Sequence, residues 1–128
     1  MTDFAGVAET AGRYAIAFHA GAVEQLNTLF LPGCTLRSAR DGTIAEYALT
    51  DWLSHVGGRP SPEALGHALD YKVRGIDFAG SQCASVIIEM SVPGTLFVDC
   101  LHLVRAAGEW RIVAKTFHAE PNDVQPAS

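Results

Sequence analysis

Basic clusters, paired cysteines and long apolar runs are all missing from this sequence, and each absence removes a class of function. Lys and Arg number 9 against 14 Asp and Glu, a formal net charge of -5. That balance repels a phosphate backbone, and no local run of Lys or Arg makes an exception, so nucleic acid is not an expected partner. The 3 cysteines, Cys34, Cys83 and Cys100, are widely spaced and form no CxxC. They read as reduced, small apolar residues of a cytosol-like compartment, not as a disulfide framework or a zinc site. No run reaches the roughly 20 apolar residues of a membrane span. The N-terminus, MTDFAGVAET, carries an acid where an export signal carries a base. No membrane association is therefore expected, and a cytoplasmic location follows by default. HExxH, GxSxG, GxGxxG and the phosphate-loop pattern are absent as well, which sets aside zincins, hydrolases, dinucleotide enzymes and nucleoside triphosphatases. His55 and His67 flank a Gly-rich loop without metal-ligand spacing, so neither a metal nor a cofactor is expected.

What is present is a globular composition of 128 residues, 48% apolar and 18% charged. A chain of this length makes one domain and buries roughly two-thirds of its unfolded surface. An apolar surplus in so small a domain is placed either around an interior cavity or on an oligomer face.

Phe4, Val7, Ala8, Ala11, Tyr14, Ala15 and Phe18 recur at three- and four-residue steps and predict a first helix, capped by Thr2 or Asp3, with Glu9 and Arg13 on its far side. Gly21 stops it before a short second helix carrying Val23, Leu26, Leu29 and Phe30, which Pro32-Gly33 ends. Cys34 to Arg40 and Thr43 to Tyr47 flank Asp41-Gly42, the pattern of a hairpin turn that needs positive φ at both central residues. Thr50-Asp51 opens a third helix through Trp52, Leu53 and Val56, and Gly57-Gly58 ends it. Residues 59–66 form a loop with one helical turn after Ser61-Pro62.

From Ala68 the period changes to two. Leu69, Tyr71 and Val73 alternate, the phase slips to Ile76 and Phe78, and Gly75 marks the slip as a β-bulge. Strands over residues 82–92, 95–105 and 109–118 follow, separated by turn residues, so the chain ends in a four-strand antiparallel meander. The domain is expected to span residues 1–119, with residues 120–128 a loosely ordered tail.

Residues 97 to 117, FVDCLHLVRAAGEWRIVAKTF, resemble the ending "F-x-D-x-L-x-L-(spacer)-G-x-W-x-I-V-x-K-x-F" of a bacterial, lumazine-binding-like branch of the nuclear transport factor 2-like (SnoaL-like) superfamily. Phe97, Asp99, Leu101, Leu103, Gly108, Trp110, Ile112, Val113, Lys115 and Phe117 carry the match, and LNTLFLPGCTL resembles a front-half stretch of the branch at Leu26, Phe30 and Pro32. Leu31 departs from the His of that pattern, and Gly21-Ala22 stands where Gly-Asp is frequent. The resemblance implies an α+β fold in which a cone-shaped, curved antiparallel sheet wraps N-terminal helices around a pocket. It also implies a homodimer through the outer face of the sheet.

Read as a three-residue loop, Ala106-Ala107-Gly108 pairs Arg105 with Glu109 and sets Asp99 opposite Lys115, on a face shared with Phe97, Leu101, Leu103, Val113 and Phe117. Neither charge is stable alone in that setting. His102 then alternates to the side of Val104 and Trp110, with His118 on the same outer side. Relatives that share the fold include isomerases, dehydratases and cyclases that transfer protons, which implies Asp99 as a catalytic acid or base. His19 and Tyr14 on the first helix are further candidates at the pocket mouth, with a surface histidine and a core tyrosine as the plainer readings. Tyr47, Trp52, Tyr71 and Phe78, with Phe97, Leu101, Phe117 and Lys115, are candidate ligand-binding residues, or ordinary core. Three functions remain open: a pocket for a small apolar or mixed-polarity molecule, a general acid-base isomerase, dehydratase or cyclase acting on a carbonyl-bearing ring, and a dimerisation module with a filled cone.

Overall fold

The computed structural model describes residues 2–125. Its first helix, α1, spans Phe4–Ala20, and Asp3 caps it by accepting the Gly6 N–H at 3.0 Å. Gly21 ends it at φ 65°, donating its N–H back to the last turn. Val7, Ala11, Tyr14, Ala15 and Phe18 are buried as the periodicity requires, whereas Phe4, in the opening turn, is 61% exposed. A short α2, Val23–Leu29, runs directly into β1, Phe30–Arg40. Phe30 is therefore a strand residue, not the end of α2. Pro32-Gly33 falls in an irregular stretch of β1 between its Phe30 and Thr35 pairings, where a missing N–H costs no ladder bond.

β1 turns through Asp41 and Gly42, at φ 52° and 78°, into β2, Thr43–Tyr47. α3, Leu49–Gly57, begins one residue ahead of the expected Thr50 and buries Trp52, Leu53 and Val56. The meander is β3 (Tyr71–Phe78), β4 (Cys83–Val92), β5 (Thr95–Ala106) and β6 (Glu109–Pro121), and β3 shifts register between Val73 and Gly75 as its phase slip predicted. All strands join one six-stranded sheet in the order β2-β1-β6-β5-β4-β3. Every pairing is antiparallel except β1 with β6, which is parallel. The sheet is curved and unclosed, and its inner face packs Val86, Ile88, Met90, Leu101, Leu103 and Ile112 against the helices.

The final hairpin departs from the three-residue loop. Ala107 and Gly108 alone form the turn, at φ 52° and 78°, so Ala106 faces Glu109 and Arg105 faces Trp110. An extra residue, Val113, then bulges from β6 between the pairs Leu103↔Ile112 and His102↔Ala114. Together these set Asp99 opposite Phe117 and Lys115 opposite Leu101. The two slips restore the original facing beyond the bulge but not before it. Trp110 is consequently an inner, buried residue lying edge-on to Phe78, and Val113 lines the outer surface beside His102 and Val104. His102 and His118 are exposed on that outer side, as expected.

β6 continues past the expected boundary at residue 119, and Asn122 Nδ2 ties the chain to Ser91 Oγ and the Val92 carbonyl at 2.9 and 2.8 Å. Residues 126–128 of the expected tail lie outside the described residues.

Asp3 joins the two ends of this architecture, since its second carboxylate oxygen accepts the Trp110 indole N–H at 3.0 Å and faces Arg105 at 3.9 Å. Trp110, then Gly6 and Arg105, hold its carboxyl below the ordinary 3.8. A folded-state value below the unfolded one means that the carboxylate's stabilisation is complete above 3.8 and is lost as pH falls through the lower folded value. Asp3→Ala is expected to lower the urea midpoint at pH 7, with the gap to the parent narrowing below pH 3.8. Unfolding curves at pH 7 and pH 3 measure it.

Candidate functional site

Residues two apart on a strand share a face, and diagonal cross-strand neighbours lie within reach of long side chains. Asp99 on β5 and Lys115 on β6 stand in that diagonal relation, with Lys115 Nζ 3.6 Å from Asp99 Oδ2. α1 brings Tyr14 down onto the same oxygen, and its hydroxyl donates to Asp99 Oδ2 at 2.6 Å, the short contact of a charge-assisted hydrogen bond. All three are buried. Burial, then the neighbouring Asp99 charge, pushes the Tyr14 hydroxyl well above its ordinary range, so it stays a donor. Burial pulls the Lys115 ammonium down, against the opposing pull of Asp99.

Three aromatic rings surround that ammonium, with centroids 3.8 Å away for Trp52, 5.0 Å for Phe117 and 5.4 Å for Tyr14. A cation against a ring face in a desolvated niche gains about 2 kcal/mol. At 3.6 Å the Asp99 contact is an ion pair longer than a hydrogen bond, and Nζ donates no other among the described residues. Since no fully buried side-chain nitrogen or oxygen lacks a partner among those residues, the ammonium keeps some surface open.

The Lys115 side chain helps to line a cavity of about 380 Å³, with Phe18, Trp52, Phe97, Asp99 and Phe117, and with Tyr47, Asp51, His55 and Arg59 also contributing. Phe18 stacks on Trp52 and meets Phe97 edge-on, while Tyr47 tilts against Phe117. Asp99, Lys115, Trp52, Tyr47, Phe97 and Phe117 thus come together as a group.

The remaining candidates lie elsewhere. Tyr14 sits beneath the cavity and reaches it through Asp99. Leu101 is fully buried opposite Lys115. Phe78 packs on Trp110, and the half-exposed Tyr71 lays its hydroxyl across α1 at Gly12. His19, at the end of α1, is outside the cavity lining, and its carbonyl accepts the Glu63 N–H at 3.1 Å.

Phe18, Asp51, His55 and Arg59 escaped the sequence reading as site residues. Phe18 was legible only as core. Asp51, His55 and Arg59 recur at four-residue steps beside buried Trp52 and Val56, a spacing that places them along one edge of α3 and the chain leaving it. All three are exposed.

A family model described as "Putative lumazine-binding" matches residues 2–118. Among solved structures, a nuclear transport factor 2-like protein of unknown function from Shewanella baltica is 20% identical with a TM-score of 0.80, covering 95% of this chain and 100% of that one. A nuclear transport factor 2-like protein of unknown function from Silicibacter pomeroyi is 17% identical with a TM-score of 0.79, over 91% and 94% of the two chains. A ketosteroid isomerase-like protein from Erwinia carotovora atroseptica is 13% identical with a TM-score of 0.69, over 90% and 94%. At these identities the likeness establishes the fold. No curated protein matches the chain.

Removing one member of a buried ion pair leaves the other uncompensated, at a cost of about 3–5 kcal/mol, while removing both charges relieves it. Lys115→Met is therefore expected to destabilise the protein by about that amount. Asp99→Asn added to it should recover most of the loss, because Asn still accepts from Tyr14. A double-mutant cycle by urea unfolding checks this, and additive losses would refute the coupling.

Proposed function

The chain belongs to the lumazine-binding-like family of the nuclear transport factor 2-like superfamily, and from that premise we propose that it binds a small molecule in the cavity above Asp99 and Lys115. One observation carries the reading: a buried lysine, 3.6 Å from its carboxylate partner and without a closer polar contact among the described residues, lines an aromatic-walled hollow. An oxygen on a ligand completes the coordination of Lys115, while a flat apolar body is sandwiched by Phe18, Trp52, Phe97 and Phe117. Arg59, His55 and Asp51 meet whatever polar substituent projects from the mouth. At about 380 Å³ the hollow lies toward the small end of ligand pockets, which suits a compact ring compound of mixed polarity.

Two rival functions are less well supported. An isomerase, dehydratase or cyclase needs its base aimed at the substrate, whereas the Asp99 oxygen that Tyr14 engages is directed at the Lys115 ammonium. A module with a filled cone has no use for an unfilled volume over a buried charge pair.

The protein pairs through the outer face of its sheet. That face exposes Ile44 and half-buries Ile87, Val98 and Cys100 along a trough of about 550 Å³. An apolar surface of this kind is covered in solution by a partner surface of like character. A charge at its centre, Val98→Glu, should convert a dimer to a monomer in sedimentation velocity. A parent that already sediments as a monomer would exclude the pairing.

The chain has 2 tryptophans, Trp52 in the cavity wall and Trp110 against Phe78 away from it. In ¹H–¹⁵N spectra, 2-naphthoate, a flat aromatic carboxylate, is expected to move the Trp52 indole peak and leave that of Trp110 in place. Lys115→Met should weaken the binding about tenfold or more, the worth of a hydrogen bond to a charged group. No movement of Trp52 at millimolar 2-naphthoate, or an equal shift of both peaks, would overturn the pocket reading.

A further inference from the structure

We propose that Lys115 is a nucleophile toward carbonyl compounds, condensing with an aldehyde or ketone held in the aromatic cavity to give a protonated Schiff base beside Asp99. The proposal rests on the small-molecule reading of the same cavity and adds to it the ligand's chemical class and a covalent step.

Lysine reacts this way when its amine is desolvated, faces bound substrate and has a neighbour to carry protons. Lys115 meets the three conditions through separate observations. Its side chain is 4% exposed, it lines the cavity, and Asp99 Oδ2 lies 3.6 Å from the nitrogen. The nitrogen is held against ring faces, which accept no covalent bond, and its side chain lines the cavity. Burial also lowers the proton affinity of the amine, which enlarges its nucleophilic fraction near neutrality.

The step balances without an outside oxidant or reductant. Asp99 takes one proton from the Lys115 ammonium, and the neutral amine attacks the carbonyl carbon. A C–N bond forms and the π electron pair passes to oxygen. Asp99 returns its proton to that oxygen, a second proton leaves nitrogen for the same oxygen, and the C–O bond breaks to release one water. The iminium that remains carries the single positive charge the ammonium had, so the pairing with Asp99 is preserved. Tyr14, donating to Asp99 Oδ2 at 2.6 Å, positions the carboxylate throughout.

Lys72 and Lys115 are the chain's only lysines, and Lys72 is exposed on β3. Lys72 and the α-amino group therefore serve as internal controls. The full-length protein is incubated at pH 7.5 with 2-naphthaldehyde and sodium cyanoborohydride, which reduces an iminium to a stable amine, and peptide mass mapping locates the label. We expect at least about tenfold more label on Lys115 than on Lys72, because Lys115 alone of the two lines a cavity that holds the aldehyde beside the amine. Lys72→Arg should leave the Lys115 label intact, and Asp99→Asn should slow its formation without abolishing the movement of the Trp52 indole peak. Label confined to Lys72 and the N-terminus, while 2-naphthaldehyde still moves the Trp52 peak, overturns the covalent step alone. Failure of both 2-naphthaldehyde and 2-naphthoate to move that peak overturns the pocket reading and this proposal with it.

Discussion

The Asp99 carboxylate and the Lys115 ammonium stand 3.6 Å apart with side chains 2% and 4% exposed. Neither charge survives such a niche alone, because desolvation of each costs several kcal/mol and only a neighbour of opposite sign, with further polar or aromatic contacts, offsets it. The surrounding elements supply those contacts. α1 delivers the Tyr14 hydroxyl, α3 delivers the Trp52 ring, and β6 adds Phe117 from two residues along its own strand. The helices are thus held to the sheet by a polar requirement at one point of contact as well as by apolar burial elsewhere.

Much of this architecture could be read from residue patterns. The α1 stripe, the Asp41-Gly42 turn, the slip at Gly75 and the four-strand meander are encoded locally, by side-chain spacing and by residues that tolerate positive φ. The parallel pairing of β1 with β6 is not, since it joins strands with four other strands and a helix between them, and no turn residue announces it. The last hairpin failed in an instructive way. Ala107 adopts a left-handed conformation that its Cβ disfavours, so the chain forms a two-residue turn where glycine placement alone pointed to three. A bulge at Val113, without a glycine to mark it, then supplied a second slip. Strand facing has a period of two, so the slips cancelled for Asp99 and Lys115 but not for Trp110, which lies between the turn and the bulge.

The lining of the cavity was legible in the same uneven manner. Asp99 and Lys115 were found because charges on an apolar strand face are conspicuous, and Phe97, Phe117 and Trp52 because aromatic residues near such charges form walls. Tyr71 and Phe78 have the same composition, yet they fall on the β3 end of the curved sheet, where they pack on α1 and Trp110. Curvature decides which aromatic residues converge, and it is a property of the whole sheet. Asp51, His55 and Arg59 were missed for the opposite reason: an exposed polar residue beside an amphipathic helix looks like ordinary surface until the opposing strands are in place.

The position of Trp52 gives the molecule an optical property of its own. Its indole carries a positive charge 3.8 Å from the ring centroid, in surroundings too dry to screen it. Excitation shifts electron density across an indole, so a fixed cation on one face displaces the energy of the transition. Any event that neutralises, moves or covalently alters that nitrogen changes the colour of the light this residue emits, and the interior charge state can be followed without an added dye.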